Sequence, residues 1–190
     1  MSDKKQYTKI KILQTALEDI DKNGYEELSL RKLANNCGLT TGAFYKHFAS
    51  KDELFMSLML KLSVSLTENI NLKSNEQYTP REELLHLGQN IFALFKEKTN
   101  LVDFLFFNPV AQSVYKQSSE VQNAFPLLRS VRTLINELID YESLELDSTE
   151  TFIKIWAFLQ GYMLLVRNGV TEFDVTLLSA TLNSLLRKDN

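Results

Sequence analysis

The chain has 190 residues, with 21 Lys and Arg against 24 Asp and Glu and a formal net charge of −3. Hydrophobic residues make up 44%, enough for a packed core and too many for a disordered chain. Gly and Pro number only 6 and 3, which argues against a turn-rich sandwich or barrel and favours long helices. One Cys excludes an intramolecular disulfide and any multi-cysteine metal site, and two His leave little for a His-rich one. The charge is uneven: residues 1–51 hold nine basic and six acidic residues, net +3, and residues 52–190 hold twelve and eighteen, net −6. Such asymmetry hints at nucleic-acid contact by the first segment.

In chain order, the start MSDKKQYTKIKIL has no apolar h-region and no cleavage motif, so no targeting segment is expected. Apolar residues then recur at three and four: Ile10, Leu13, Ala16, Leu17 and Ile20 form a first helix, with Gly24 as its left-handed cap. Ser29 caps a short helix through Cys37, stopped by Gly38, and Thr40 caps another running to about His47. Ser50 and Glu53 form a capping box opening a long helix that carries Leu54, Phe55, Leu58, Met59, Leu62, Leu66 and Ile70. The polar stretch Asn71–Tyr78 reads as a linker, and Thr79-Pro80-Arg81-Glu82 as the next helix start. Pro109 ends a helix containing Leu101–Phe107; Ser119 opens another, and Pro126 marks a break or first turn before Leu127–Tyr141. Asp147 and the stretch Thr171–Asp174 start the last two. The fold class is all-α with about nine helices. The longest apolar run, Ile155 to Val166, is twelve residues, too short to span a bilayer, so a cytoplasmic protein without membrane attachment is expected.

Residues 29–48 carry the specific signal. Two helices crossing steeply need a small residue at the crossing and a glycine in the turn, supplied by Ala34 and Gly38. Leu30, Leu33, Cys37, Leu39, Phe44 and Phe48 lock the pair. An αα-hairpin with no DNA role fits that spacing equally well. The polar residues favour DNA: Thr41, Gly42, Tyr45, Lys46 and His47 face outward, where hydroxyls and a lysine suit phosphates and a Thr methyl or His edge suits bases. Gly42 and Ala43 leave room for close approach, and Lys51, unfavourable at a helix start, makes sense beside a phosphate.

Lys9–Leu58, with Asn23-Gly24-Tyr25-Glu26, Ser29-Leu30-Arg31-Lys32-Leu33-Ala34, Cys37 through Phe48 and Ser50-Lys51-Asp52-Glu53-Leu54, resembles the DNA-binding domain of the tetracycline-repressor (TetR) family. The resemblance implies a homodimer and two domains. These are a three-helix helix-turn-helix domain at 1–50 and a helical effector-binding and dimerisation domain at 51–190, with 51–71 as connecting helix. It implies a transcriptional regulator, a repressor released from a pseudo-palindromic operator by a small, largely apolar effector. Carried over by position, Thr40, Thr41, Gly42, Tyr45 and His47 face DNA, while Ser29 and Lys51 hold phosphates. Many members carry a basic residue where this chain has Thr41, so base preference does not transfer.

The remaining 120 or so residues hold no comparable motif. Phe152, Ile155, Trp156, Leu159, Met163 and Val166 form one stripe, and Ile153, Ala157, Leu164 and Leu165 crowd the other faces. A helix apolar nearly all round is buried on two sides, which points to a core and a partner chain. The resemblance agrees, because the family's dimers form through the final two helices. A ligand site is read at Phe104, Phe107, Gln112, Tyr115, Phe125, Trp156, Gln160 and Met163, aromatics and apolar groups with two amides for orientation; ordinary core packing is the competing reading. Trp156–Tyr162 loosely resembles a Trp-His-Gly pattern of some members, with Gln160 in place of the His.

No catalytic, cofactor or metal motif is present: no G-x-S-x-G, P-loop, G-x-G-x-x-G or H-E-x-x-H. Two rival readings are a helical protein-interaction regulator that leaves the helix-turn-helix unused and an all-α small-molecule enzyme.

Overall fold

The computed structural model describes residues 2–71, 78–111 and 125–187. Among these are nine helices and no strand: α1 Ser2–Asn23, α2 Leu30–Asn36, α3 Thr41–Phe44, α4 Lys51–Asn71, α5 Pro80–Glu97, α6 Thr99–Phe107, α7 Pro126–Tyr141, α8 Ser148–Arg167 and α9 Val175–Leu185. A further helical turn begins at 109–111. None of the described helices is long and apolar enough to cross a membrane. The chain forms two compact units, Met1–Ser65 with Phe95–Gln122 and Leu66–Leu94 with Asn123–Asn190, so the boundaries at 65/66 and 94/95 fall inside α4 and α5.

Local chemistry sets the helix ends. Gly24 and Gly38 take φ of +82° and +74°, the left-handed conformation in which a Cβ is strained, and so turn the chain after α1 and α2. The Ser29 hydroxyl accepts the Lys32 amide at 3.4 Å, that of Thr40 accepts Ala43 at 3.2 Å, and that of Ser50 accepts Glu53 at 3.1 Å. Glu53 reaches back to the Ala49 amide at 2.6 Å, one residue beyond the partner expected of a capping box. At α5, Glu82 takes both the amide and the hydroxyl of Thr79, which holds its carboxyl below the usual range. Asp147 and Asp174 cap α8 and α9.

In the first unit, Ile12, Ala16 and Ile20 of α1, Leu33 and Ala34 of α2, Phe44, Phe48, Leu54 and Leu58 are all fully buried. Each large side chain among them contributes about 1.5–3 kcal/mol of burial. The stripe on α1 is rotated from the one read in the sequence: Ile10 is 45% exposed, because α1 is packed by α2 on one side and α6 on another. Helix α6 is tied to α1 and its turn by three polar contacts. The Tyr25 hydroxyl donates to the Phe107 carbonyl, the Asn100 amide to the Asp21 carbonyl, and Lys98 pairs with the Asp21 carboxylate. Beyond α6, Asn108 rather than Pro109 is the cap. It is completely buried; its amide donates to the Phe104 carbonyl and to Met59 Sδ, and its Oδ1 accepts Val110 and Ala111 amides at 2.8 and 3.1 Å.

In the second unit, Leu127, Leu128, Val131, Ile135 and Leu138 of α7 and Phe152, Ile155, Trp156, Leu159 and Met163 of α8 form the core with Leu178 and Leu182 of α9. Arg81 grips Glu142 through two nitrogens, at 2.6 and 2.5 Å, and Asn183 through a third at 2.7 Å, joining α5, the end of α7 and α9. Proximity to Arg81 holds the Glu142 carboxyl below its usual range. The Tyr162 hydroxyl accepts the Asp174 amide and donates to the Glu172 carbonyl, fixing the turn between α8 and α9.

Candidate nucleic-acid interface

The short α3 owes its place to two aromatics. Phe44 and Phe48 are fully buried with their rings 6.0 Å apart, so the opposite side of this segment is held outward. The α-helix proper ends at Phe44, earlier than the expected His47, and the chain continues in tighter turns, with the His47 amide donating to the Phe44 carbonyl at 2.8 Å. A one-turn helix followed by bonds three residues apart at Lys46 and His47 lets Phe48 follow Phe44 into the core. Thr41, Gly42, Tyr45 and Lys46 are exposed together on the outer side. The Tyr45 ring stands edge-on to Phe44 at 5.9 Å and 89°, which steadies it while it remains 48% exposed. A Cβ built on Gly42 meets nothing within 4 Å, so the surface beside it is open.

Ser29 and Thr40, both exposed, use an oxygen lone pair for capping and keep the O–H proton for an external acceptor. Lys51 is half-buried, with its ammonium 5.2 Å above the Phe55 ring. His47 is half-buried, and its Nδ1 is buried with no hydrogen-bond partner among the described residues. The eight residues read as DNA-facing therefore lie on α3, its flanking turns and the starts of α2 and α4.

The residues read as ligand-binding are divided between the two units. Phe104 is fully buried in the first unit, edge-on to Phe55 at 5.0 Å and 5.9 Å from Tyr25, and half-buried Phe107 offers its carbonyl to Tyr25. Both act as core of that unit. In the second unit Phe125 is buried at the start of α7, Met163 is fully buried and Gln160 is half-buried. Trp156 stacks parallel to Phe152 and lines an apolar cavity. Gln112 and Tyr115 lie outside the described residues. The cavity holds about 30 Å³ and is bounded by Leu84, Leu87, Gly88 and Ile91 of α5, Val131 of α7, Ile155, Trp156 and Leu159 of α8, and Leu178, Leu182 and Leu185 of α9, with further apolar neighbours. A Cβ on Gly88 would stand 3.1 Å from Leu178, so the glycine lets α5 and α9 close on one side of it. Sequence reasoning missed this wall, although Leu84, Leu87, Gly88 and Ile91 keep helical spacing. Nearby in the second unit, the Arg132 guanidinium lies 3.8 Å from the Phe152 ring centre, and burial lowers its pKa.

Residues 12–58 match the family model described as bacterial regulatory proteins, tetR family. That segment, the helix-turn-helix and its flanking helices, is similar to the TetR family. Over 186 residues the chain is 25% identical to the uncharacterized HTH-type transcriptional regulator YerO of Bacillus subtilis (strain 168), covering 95% of this chain and 62% of that protein. It spans under half the length of other curated relatives that it matches, such as the fatty acid metabolism regulator protein of the same organism. Among solved structures, RolR in complex with resorcinol superposes with a TM-score of 0.76 at 12% identity, covering 97% of this chain and 90% of that one. FadR of Bacillus subtilis in complex with stearoyl-CoA gives 0.67 at 19% identity, covering 93% and 97%. At such identities the superpositions establish the TetR-type fold, all-helical with an amino-terminal helix-turn-helix.

Proposed function

We propose that this chain is a ligand-responsive transcriptional regulator of the TetR family, a repressor that leaves its operator when a small, largely apolar molecule binds. The observation that carries the reading is the outer surface of α3, where Thr41, Gly42, Tyr45 and Lys46 stand exposed over a core of Phe44 and Phe48. In this reading residues 1–50 bind DNA, 51–71 connect, and 51–190 bind effector and a second copy. The α3 helix enters the major groove with Thr41, Gly42 and His47 at base edges. Ser29, Thr40, Tyr45, Lys46 and Lys51 hold phosphates, the hydroxyls as donors and the lysines as charges. The protein works in the cytoplasm, where the chromosome is.

A second copy is supported by α8. Ile153, Ala157, Gly161 and Leu164 recur at four, four and three residues and are all exposed, with Ile153 at 59%. A stripe of apolar ends and small centres lets another helix approach closely, and exposed Val175 and Leu177 extend the apolar surface onto α9. The dimer then sets two recognition helices about 34–36 Å apart for successive major grooves.

The effector reading draws on the apolar cavity. A ligand pocket needs roughly 300–1,000 Å³, so a 30 Å³ cavity admits an effector only if the helices around it spread. A ligand that binds the spread state better shifts the population toward it, and operator affinity falls in reciprocal measure. The stearoyl-CoA and resorcinol carried by the two structural neighbours make acyl chains and small aromatics the first compounds to try. The test is a mobility-shift assay on DNA upstream of the coding sequence. A specific, salt-sensitive shift abolished by Tyr45→Ala supports the reading; a shift indifferent to that substitution refutes it.

A further inference from the structure

The amino-terminal turns of α1 carry a charge that the proposed interface leaves unused. Residues 4–11 hold Lys4, Lys5, Lys9 and Lys11, four of the nine basic residues in 1–51, and no acid occurs from Lys4 to Leu17. None of Lys4, Lys5 or Lys9 has a carboxylate partner within ion-pair distance among the described residues. Cations crowded into the first turns of a helix oppose its dipole, so folding alone gives no reason for them to be there.

Their placement supplies one. Lys5, Lys9, Ile12, Ala16 and Ile20 are spaced four, three, four and four residues apart and share one side of α1. The last three are fully buried against the helix-turn-helix core. The side of α1 that carries these buried residues therefore continues toward the amino terminus in lysines instead of aliphatics. Lys9 confirms the direction: its ammonium lies 5.1 Å from the centre of the Phe48 ring, the residue that follows His47. Lys5 stands about 6 Å further along the axis, at 1.5 Å per residue, and is exposed. Lys11 is turned to the adjacent side and donates to the Cys37 carbonyl at 3.2 Å, at the turn between α2 and α3.

We infer that Lys5 and Lys9 form a second phosphate-binding element, gripping the DNA backbone beside the groove that α3 enters. The inference rests on the DNA-binding reading above. It assigns to α1 contacts that carry affinity and salt dependence without sequence preference.

The experiment measures binding of the full chain to a 30-base-pair duplex by fluorescence anisotropy across a series of salt concentrations. Each lost phosphate contact lowers the slope of log K against log salt by about 0.9. Lys5→Gln, which removes no contact within the protein, is expected to lower it by that amount for every bound protomer, equally on duplexes of different sequence. Lys9→Gln should do the same and Lys9→Arg restore the wild-type slope, while Lys22→Gln, at the far end of α1, leaves it unchanged. A wild-type slope in Lys5→Gln and Lys9→Gln overturns the inference while leaving the DNA-binding reading intact. Weaker binding at an unchanged slope also overturns it, since that is the mark of a structural role. Failure of the wild-type chain to bind any duplex overturns both.

Discussion

Replacing Asn108 by Ala should destabilise the first unit more than any other single polar substitution considered for it. The side chain is fully buried and serves two helices at once. Its amide satisfies the Phe104 carbonyl in the last turn of α6, and its Oδ1 accepts the Val110 and Ala111 amides that open the next turn. At about 1 kcal/mol for each neutral hydrogen bond, the three sum to roughly 3 kcal/mol, and buried groups left without partners push the cost upward. In a chain of this length that lowers Tm by roughly 6–12 °C. Asn108→Asp separates the parts: it keeps an acceptor for the two amides but turns a second oxygen toward the Phe104 carbonyl. Urea unfolding followed by far-UV circular dichroism measures all three proteins. A loss below 1 kcal/mol for Asn108→Ala would refute the argument, because three buried backbone groups would then have found other partners at no cost.

Two glycines should respond in opposite directions. Gly38→Ala places a Cβ at φ +74° with no atom within 4 Å of it, so the cost is backbone strain alone, about 1–2 kcal/mol in denaturant unfolding. Gly42→Ala, in a helix and in open space, should be neutral or stabilise by up to about 1 kcal/mol, yet weaken operator binding by setting a methyl on the outer surface of α3. For the Arg81–Glu142 pair, the folded carboxyl is lowered below its unfolded value. Its contribution is thus complete at neutral pH and disappears as pH falls through the acid range. Glu142→Gln should melt below wild type at pH 7 and converge with it in acid, as followed by thermal unfolding at several pH values. Leu164→Glu should convert a sedimenting dimer to monomer without loss of helix content; an unchanged dimer would move the interface off α8.

Much of the first unit was readable because its turns demand particular chemistry. A left-handed turn calls for glycine at 24 and 38, and orphan helix amides call for Ser29, Thr40 and Ser50, and each stands where it was expected, as Asp147 does in the second unit. Asn108 escaped notice because an asparagine before a proline looks like a surface turn, and only packing shows it to be buried between two helix ends. The ligand residues were harder for a related reason. Aromatic residues mark apolar surroundings, and Phe104 meets that need as core of the first unit. The cavity depends on how α5, α7, α8 and α9 pack, and its walls are mostly leucines whose periodicity is that of any buried helix. Lys5 and Lys9 carry no signal in the sequence, and only the ring of Phe48 beneath Lys9 gives their side of α1 a direction.

The central claim is that the outer surface of α3 reads DNA. It is tested most directly by DNase I footprinting of the DNA upstream of the coding sequence with wild-type, Tyr45→Ala and Lys46→Ala proteins. The account predicts protection of one pseudo-palindromic site with half-sites about 34–36 Å apart. Protection should fade with added salt and be lost in both variants, whose fold by circular dichroism is unchanged. Protection that both variants retain, or none at any salt concentration, would contradict it.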